Sequence, residues 1–174
     1  MGVNSVGIGG AWSRWRMGRI GSFAPVMNSM KGSPFMVALG LLVAWQAYAN
    51  ASETLIVQTL VLEAGGEGYE GMVAVGEVIR NRAKRGDLSP VEVVTRPKQF
   101  SCWNRARNAK EALARVSDQT LQRAYMAWEA SSESNLTGGA THYANLGLCS
   151  PNWARKLERT AKVGQHTFFK ERAR

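Results

Sequence analysis

The sequence is poor in the residues that metal and thiol chemistry require. Its 174 residues include two histidines and two cysteines. No His-Glu-x-x-His spacing occurs, so a zinc hydrolase site lacks its ligand set and no metal or other cofactor is expected. Two cysteines are also too few for a zinc finger or a scaffold built on disulfides. Prolines number only five against 18 glycines, which allows many tight turns without low complexity. Apolar residues at 45% and charged residues at 20% exclude a wholly disordered chain. The length suits one catalytic-sized domain and no more.

The N-terminal segment lacks acids altogether. Residues 1–49 contain Arg14, Arg16, Arg19 and Lys31, while all 13 Asp and Glu residues come later. The basic stretch precedes an uncharged apolar run from Phe35 to Trp45, followed by Ala47-Tyr48-Ala49. That order is the one of a secretory signal, cleaved after Ala49. Two other readings stay open, a membrane anchor retained over residues 35–51 and a buried core helix. Met30-Lys31 would start a more compact signal, which makes residues 1–29 a candidate start-site artefact. Either export reading places residues 50–174 in the periplasm, the cell envelope or the medium. Cys102 and Cys149 are then a candidate disulfide pair.

The overall charge of +9 favours an anionic partner. Nucleic acid is not that partner, because no nucleic-acid-binding signature occurs and the basic residues after 150 are interspersed with Trp153, Leu157 and Val163. For an exported domain, a cell-wall polymer fits better.

Within residues 50–174 the apolar spacing predicts helices over residues 53–64 with Ser52 as N-cap, 69–84 stopped near Gly86, 89–96, and 117–131. A fifth helix is expected over residues 153–162. Two aromatic-rich runs, residues 140–144 and 166–169, read as strands able to pair, after a turn at Gly138-Gly139 that needs positive φ. The fold class is therefore α+β, mostly helical, with a small antiparallel β element.

Glu63 stands out. It closes the apolar stretch Val61-Leu62-Glu63-Ala64 just before Gly65-Gly66, where its carboxyl should emerge half-buried at a backbone corner. A carboxyl in an apolar pocket can serve as a general acid near neutral pH. An exposed residue at a helix end is the plainer alternative.

The run Glu63-Ala64-Gly65-Gly66-Glu67-Gly68-Tyr69-Glu70-Gly71, continued by residues 73–82, resembles the opening motif of the cell wall hydrolase family typified by the spore cortex-lytic enzymes (SleB-like catalytic domains). Pro97-Lys98-Gln99-Phe100-Ser101-Cys102-Trp103 is similar to a second block of that family. Residues 137–145, 150–154 and 160–169 are similar to its C-terminal signature. The resemblance implies a single lysozyme-like or lytic-transglycosylase-like domain, monomeric, that cuts the glycan strands of peptidoglycan. It makes Glu63 the catalytic acid. Glu67, Gln99, Ser101, Tyr143, Asn145 and Trp153 become the expected substrate-binding residues. Tyr143 and Asn145 share one face of a strand, with His142 on the other, whereas Phe100 and Phe168 read as core.

Cleavage needs an acid that protonates the leaving oxygen. Without a clear second carboxylate, the product expected is a 1,6-anhydro sugar rather than a reducing end. The spore enzymes carry a peptidoglycan-binding region ahead of the catalytic part, and nothing of domain size lies between Ala49 and the first block here. That points to envelope remodelling or phage-type lysis. Two rivals are a cysteine peptidase built on Cys102 with His142 or His166, and a wall-binding module without catalysis.

Overall fold

A computed structural model describes residues 34–172. Helix α1 spans Pro34–Ala64, α2 Gly68–Gly86, α3 Pro90–Thr95, α4 Ala106–Leu113 and α5 Asp118–Ala130. Three short strands follow, β1 over His142–Asn145, β2 over Glu158–Val163 and β3 over His166–Lys170. They form an antiparallel sheet in the order β1-β3-β2, which leaves β1 on an edge.

Helix α1 does not start at Ser52. It runs unbroken through Ala49, and the two parts of it differ in surroundings. Residues 37–51 are exposed, including Leu41, Leu42 and Trp45, while Ile56, Val57, Leu60 and Val61 are buried. The core-helix reading of the apolar run is thus overturned. The anchor over residues 35–51 finds no support either, because among the described residues no helix is long and apolar enough to cross a membrane. The start-site question at residues 1–29 lies outside the described residues.

From Ile56 onward, α1 packs with α2, α3 and α5 around Leu60, Met72, Val75, Ile79, Val94 and Phe100. Each such side chain contributes about 1.5–3 kcal/mol by leaving water. The ends of these helices follow local chemistry. Ser89 and Glu92 form a reciprocal capping box with Pro90 at the first helical position, and Ser117 caps α5 through the Thr120 amide. Helix α2 ends at the expected Gly86, but the left-handed cap falls one residue later, on Asp87 at φ 50°. Close approach of α2 and α5 requires Gly76, since a Cβ there would lie 2.8 Å from Ser131 Cβ.

The helix expected over residues 153–162 is not formed. A short 3-10 turn, Asn152–Arg155, gives way to β2. Strand β2 turns at Gly164, φ 54°, and pairs with β3. A register shift between Arg159 and Ala161 interrupts the two-residue alternation that would have marked β2 as a strand. The pairing of β1 with β3 matches expectation, with Tyr143 opposite Phe168 and Asn145 opposite His166. A smaller cluster of Ala74, Val78, Ala140 and Phe168 joins the sheet to α2.

Polar side chains of α2 clamp the end of α5 and the segment leading from it into β1. Arg80 donates to Ser131 Oγ and the Trp128 carbonyl, both at 2.8 Å. Asn81 donates to the Ala140 carbonyl at 2.9 Å and Arg82 to that of Thr141 at 2.7 Å. Glu77, 3% exposed, accepts from Ser134 Oγ, the Leu136 amide, and both the amide and hydroxyl of Thr137, at 2.5–2.9 Å. These contacts satisfy an otherwise irregular loop and fix where β1 begins.

Candidate active site

Glu63 lies in the last turn of α1, half-buried, with Gly65–Glu67 turning the chain away behind it. Its carboxylate collects donors from two distant elements. Oε1 accepts from the Cys102 amide at 3.0 Å and from Ser101 Oγ at 3.4 Å. Oε2 accepts from the Tyr143 hydroxyl at 2.8 Å. The turn bearing Ser101 and Cys102 is itself pinned, by the buried Phe100 ring and by the Trp103 indole donating to Thr59 Oγ1 at 3.0 Å, one turn before Glu63. The carboxylate therefore has one orientation, imposed from both sides of the cleft.

The electrostatics follow from burial. The Tyr143 phenol is pushed well above its ordinary value, first by burial and then by the Glu63 carboxylate. It remains a donor at any physiological pH. Burial and then Glu63 likewise push the Cys102 thiol far up, the reverse of what an activated thiolate needs. His142 Nδ1 pairs instead with Thr141 Oγ1 at 3.0 Å, and the His166 ring packs edge-on to Tyr143 at 5.1 Å. The cysteine peptidase reading thereby loses its nucleophile. Both cysteines are free thiols, Cys102 half-buried beside Glu63 and Cys149 exposed with its Sγ 3.6 Å from the Asn145 carbonyl. The disulfide expected from the sequence is not formed, each sulfur being turned to its own local partner.

An open groove of about 870 Å³ runs past Glu63 and gathers Gln99, Ser101, Tyr143, Asn145 and Trp153. Trp153 packs edge-on to Phe169 at 5.5 Å and against His142 at 5.3 Å, forming one wall. Asn145 is tied to the neighbouring turns through Gln165 Oε1 and the Gly147 amide, each at 3.0 Å. His142 lines the groove as well, although it alternates with Tyr143, because β1 is an edge strand reachable from both faces.

Glu67 does not join the groove residues. Its Oε2 accepts from the Gln165 amide at 2.8 Å, holding the turn after α1 against the β2–β3 hairpin. A Cβ on Gly164 would sit 2.1 Å from that same oxygen, so the contact depends on a glycine at the hairpin. Arg82, in contrast, was not expected among the site residues. It lines the groove, lies over the Phe100 ring at 5.1 Å, and is influenced by both Tyr143 and Glu63. Burial lowers its affinity for the proton while those two groups raise it. In the sequence it is one of four cations, with Arg80, Lys84 and Arg85, near the end of α2, and nothing sets it apart from them. Its place on the face of α2 turned toward β1 could have.

A family model described as Cell Wall Hydrolase matches residues 66–169, from just after Glu63 through most of β3. The spore cortex-lytic enzyme of Halalkalibacterium halodurans is 28% identical over 123 residues, covering 70% of this chain and 35% of that protein. The chain thus spans about a third of that relative's length. Among solved structures, the catalytic domain of the Bacillus cereus SleB protein shares 26% identity with a TM-score of 0.54, covering 68% of this chain and 89% of that one. The catalytic domain of the germination-specific lytic transglycosylase SleB from Bacillus anthracis shares 25% identity at the same TM-score of 0.54, with 68% and 93% covered. The mostly helical fold with its small antiparallel sheet is the fold of those catalytic domains.

Proposed function

The chain belongs to the cell wall hydrolase family, and from that premise we propose that it cleaves peptidoglycan between N-acetylmuramic acid and N-acetylglucosamine as a lytic transglycosylase. Glu63 is the general acid and base. It protonates the glycosidic oxygen as the bond from C1 breaks and oxocarbenium character develops. The muramyl 6-hydroxyl then attacks C1, returning its proton to Glu63 and closing the 1,6-anhydro ring. Tyr143, Ser101 and the Cys102 amide orient the carboxyl group, while Gln99, Asn145 and Trp153 line the path of the strand.

One observation carries the choice of product. Among the described residues, the acidic side chains lining the groove are Glu63 and Glu171, and Glu171 is ion-paired with Arg85. A hydrolase of the two-carboxylate type needs its second carboxylate directed at the bond being cut. The wall lies outside the cytoplasm, so the same reading includes export through residues 1–49 and a role in envelope remodelling or phage-type lysis.

Mass spectrometry of products from sacculi, with Glu63→Gln as control, tests this reading. Anhydro-muropeptides present with the parent enzyme and absent with the control are expected. Reducing-end muropeptides would replace transglycosylation by hydrolysis, and an active control would remove Glu63 from the chemistry. Binding to sacculi without any product would leave a wall-binding module.

A further inference from the structure

The charged residues of the groove are unequally engaged. Arg82 donates to the carbonyls of Thr141 and Gln99, at 2.7 and 3.4 Å, and Arg85 is ion-paired with Glu171. Arg96 and Lys98 line the same groove with exposed side chains, and no ion pair among the described residues engages them. Glu92, the acid nearest in sequence to Arg96, feels that charge but forms no ion pair with it, its Oε2 accepting from the Ser89 amide and hydroxyl, both at 2.7 Å.

The two cations stand on a constrained turn. The Arg96 amide donates to the Glu92 carbonyl at 3.1 Å and closes α3, and the Gln99 amide donates back to the Arg96 carbonyl at 3.3 Å. Lys98 between them has φ 64°, a left-handed conformation that a residue with a Cβ adopts only when its surroundings impose it. The buried Phe100 ring, 2% exposed, anchors the turn from behind. Four residues on from Lys98 is Cys102, whose amide holds Glu63. An extended chain of that length reaches at most about 14 Å, so the rim cations lie within a few sugar units of the proposed acid.

The amino sugars of a peptidoglycan strand are uncharged. Negative charge resides on the carboxylates of the stem peptides, which branch from muramyl sugars through their lactyl groups. We propose that Arg96 and Lys98 bind these stem-peptide carboxylates, so that the enzyme selects strands whose stems carry free carboxylates over strands whose stem carboxylates are blocked. This rests on the glycan-cleavage reading above. It adds to that reading a specificity that the neutral sugars cannot provide.

The test uses the full chain on two substrates, intact sacculi and the same sacculi with their stem carboxylates converted to neutral amides by carbodiimide coupling to ammonia, which leaves the stems in place. The readout is the ratio of kcat/KM on the two. Two exposed charge contacts correspond to a preference for intact strands of roughly three- to tenfold, declining as salt is raised. The Arg96→Glu/Lys98→Glu double variant should bring the ratio near one, and Arg96→Lys/Lys98→Arg should retain it. A ratio near one in the parent enzyme, or one unchanged by charge reversal, would overturn the inference while leaving glycan cleavage intact. If the parent enzyme cleaves neither substrate, the glycan-cleavage reading fails and this inference fails with it. The parent ratio and its salt dependence decide the question even if the charge-reversed protein does not fold.

Discussion

At Glu77, both carboxylate oxygens are consumed by one loop, four donors from Ser134, Leu136 and Thr137 closing over a side chain that is 3% exposed. At Glu63, the donors come from two separate elements, β1 and the turn after α3, and the half-buried carboxylate borders an open groove. The same functional group, on neighbouring helices of one core, is a staple in the first place and accessible to a ligand in the second. What differs is whether the hydrogen bonds seal the carboxylate from solvent or merely fix its direction.

Substitution separates the two roles most sharply. Glu63→Gln keeps the shape of the side chain and removes the transferable proton, so product formation should fall about 10²–10⁴-fold, the usual range for general acid–base catalysis, with thermal unfolding nearly unchanged. Glu77→Ala should do the opposite. It strands buried donors, which costs about 3 kcal/mol, and should lower Tm by on the order of 10 °C. Cleavage by the fraction still folded should persist. Chemical denaturation beside a muropeptide assay checks both variants. Comparable stability losses would erase the distinction between the two carboxylates.

That distinction was half visible beforehand. The abrupt placement of Glu63 between an apolar helix and two glycines marked it, and family resemblance added Gln99, Ser101, Tyr143, Asn145 and Trp153, all of which the groove gathers. Glu77 sits inside the apolar run Val73–Ile79, yet nothing local announces that a loop about 60 residues away satisfies it. Arg82 was hidden for the same reason, its partners Thr141 and Gln99 being supplied by tertiary structure. The helices after Ser52 were legible because their caps and periodicity are local. Strand β2 was not, because its bulge breaks the alternation that marks a strand. Helix α4 carried too short an apolar pattern to declare itself. Glu67 looked like a site residue because it shares a motif with Glu63, but its backbone corner turns it to the β2–β3 hairpin instead.

A finer comparison lies within the Glu63 cluster itself. Tyr143→Phe retains the ring packed against His166 and Phe168 and deletes the hydroxyl that donates to Glu63 Oε2 at 2.8 Å. One positioning hydrogen bond of about 1–1.5 kcal/mol corresponds to roughly a tenfold fall in kcat, with KM little altered. A change confined to KM would make Tyr143 a sugar contact rather than a support for the acid.

The smallest effect should come from His142, next to Tyr143 on the edge strand. Its imidazole is held below the ordinary range, chiefly by burial and then by Arg82 and Arg85, with Glu171 opposing. The unfolded chain takes up a proton as pH falls through about 6.5, whereas the folded chain does so only at lower pH. Stability from this residue is therefore fully present above about 6.5 and is lost as pH falls through the folded value. His142→Gln should flatten that part of the curve of stability against pH, leaving the behaviour at pH 8 unchanged apart from a constant offset. Unfolding curves at successive pH values measure it directly. If the slope below 6.5 survives the substitution, His142 is not its source.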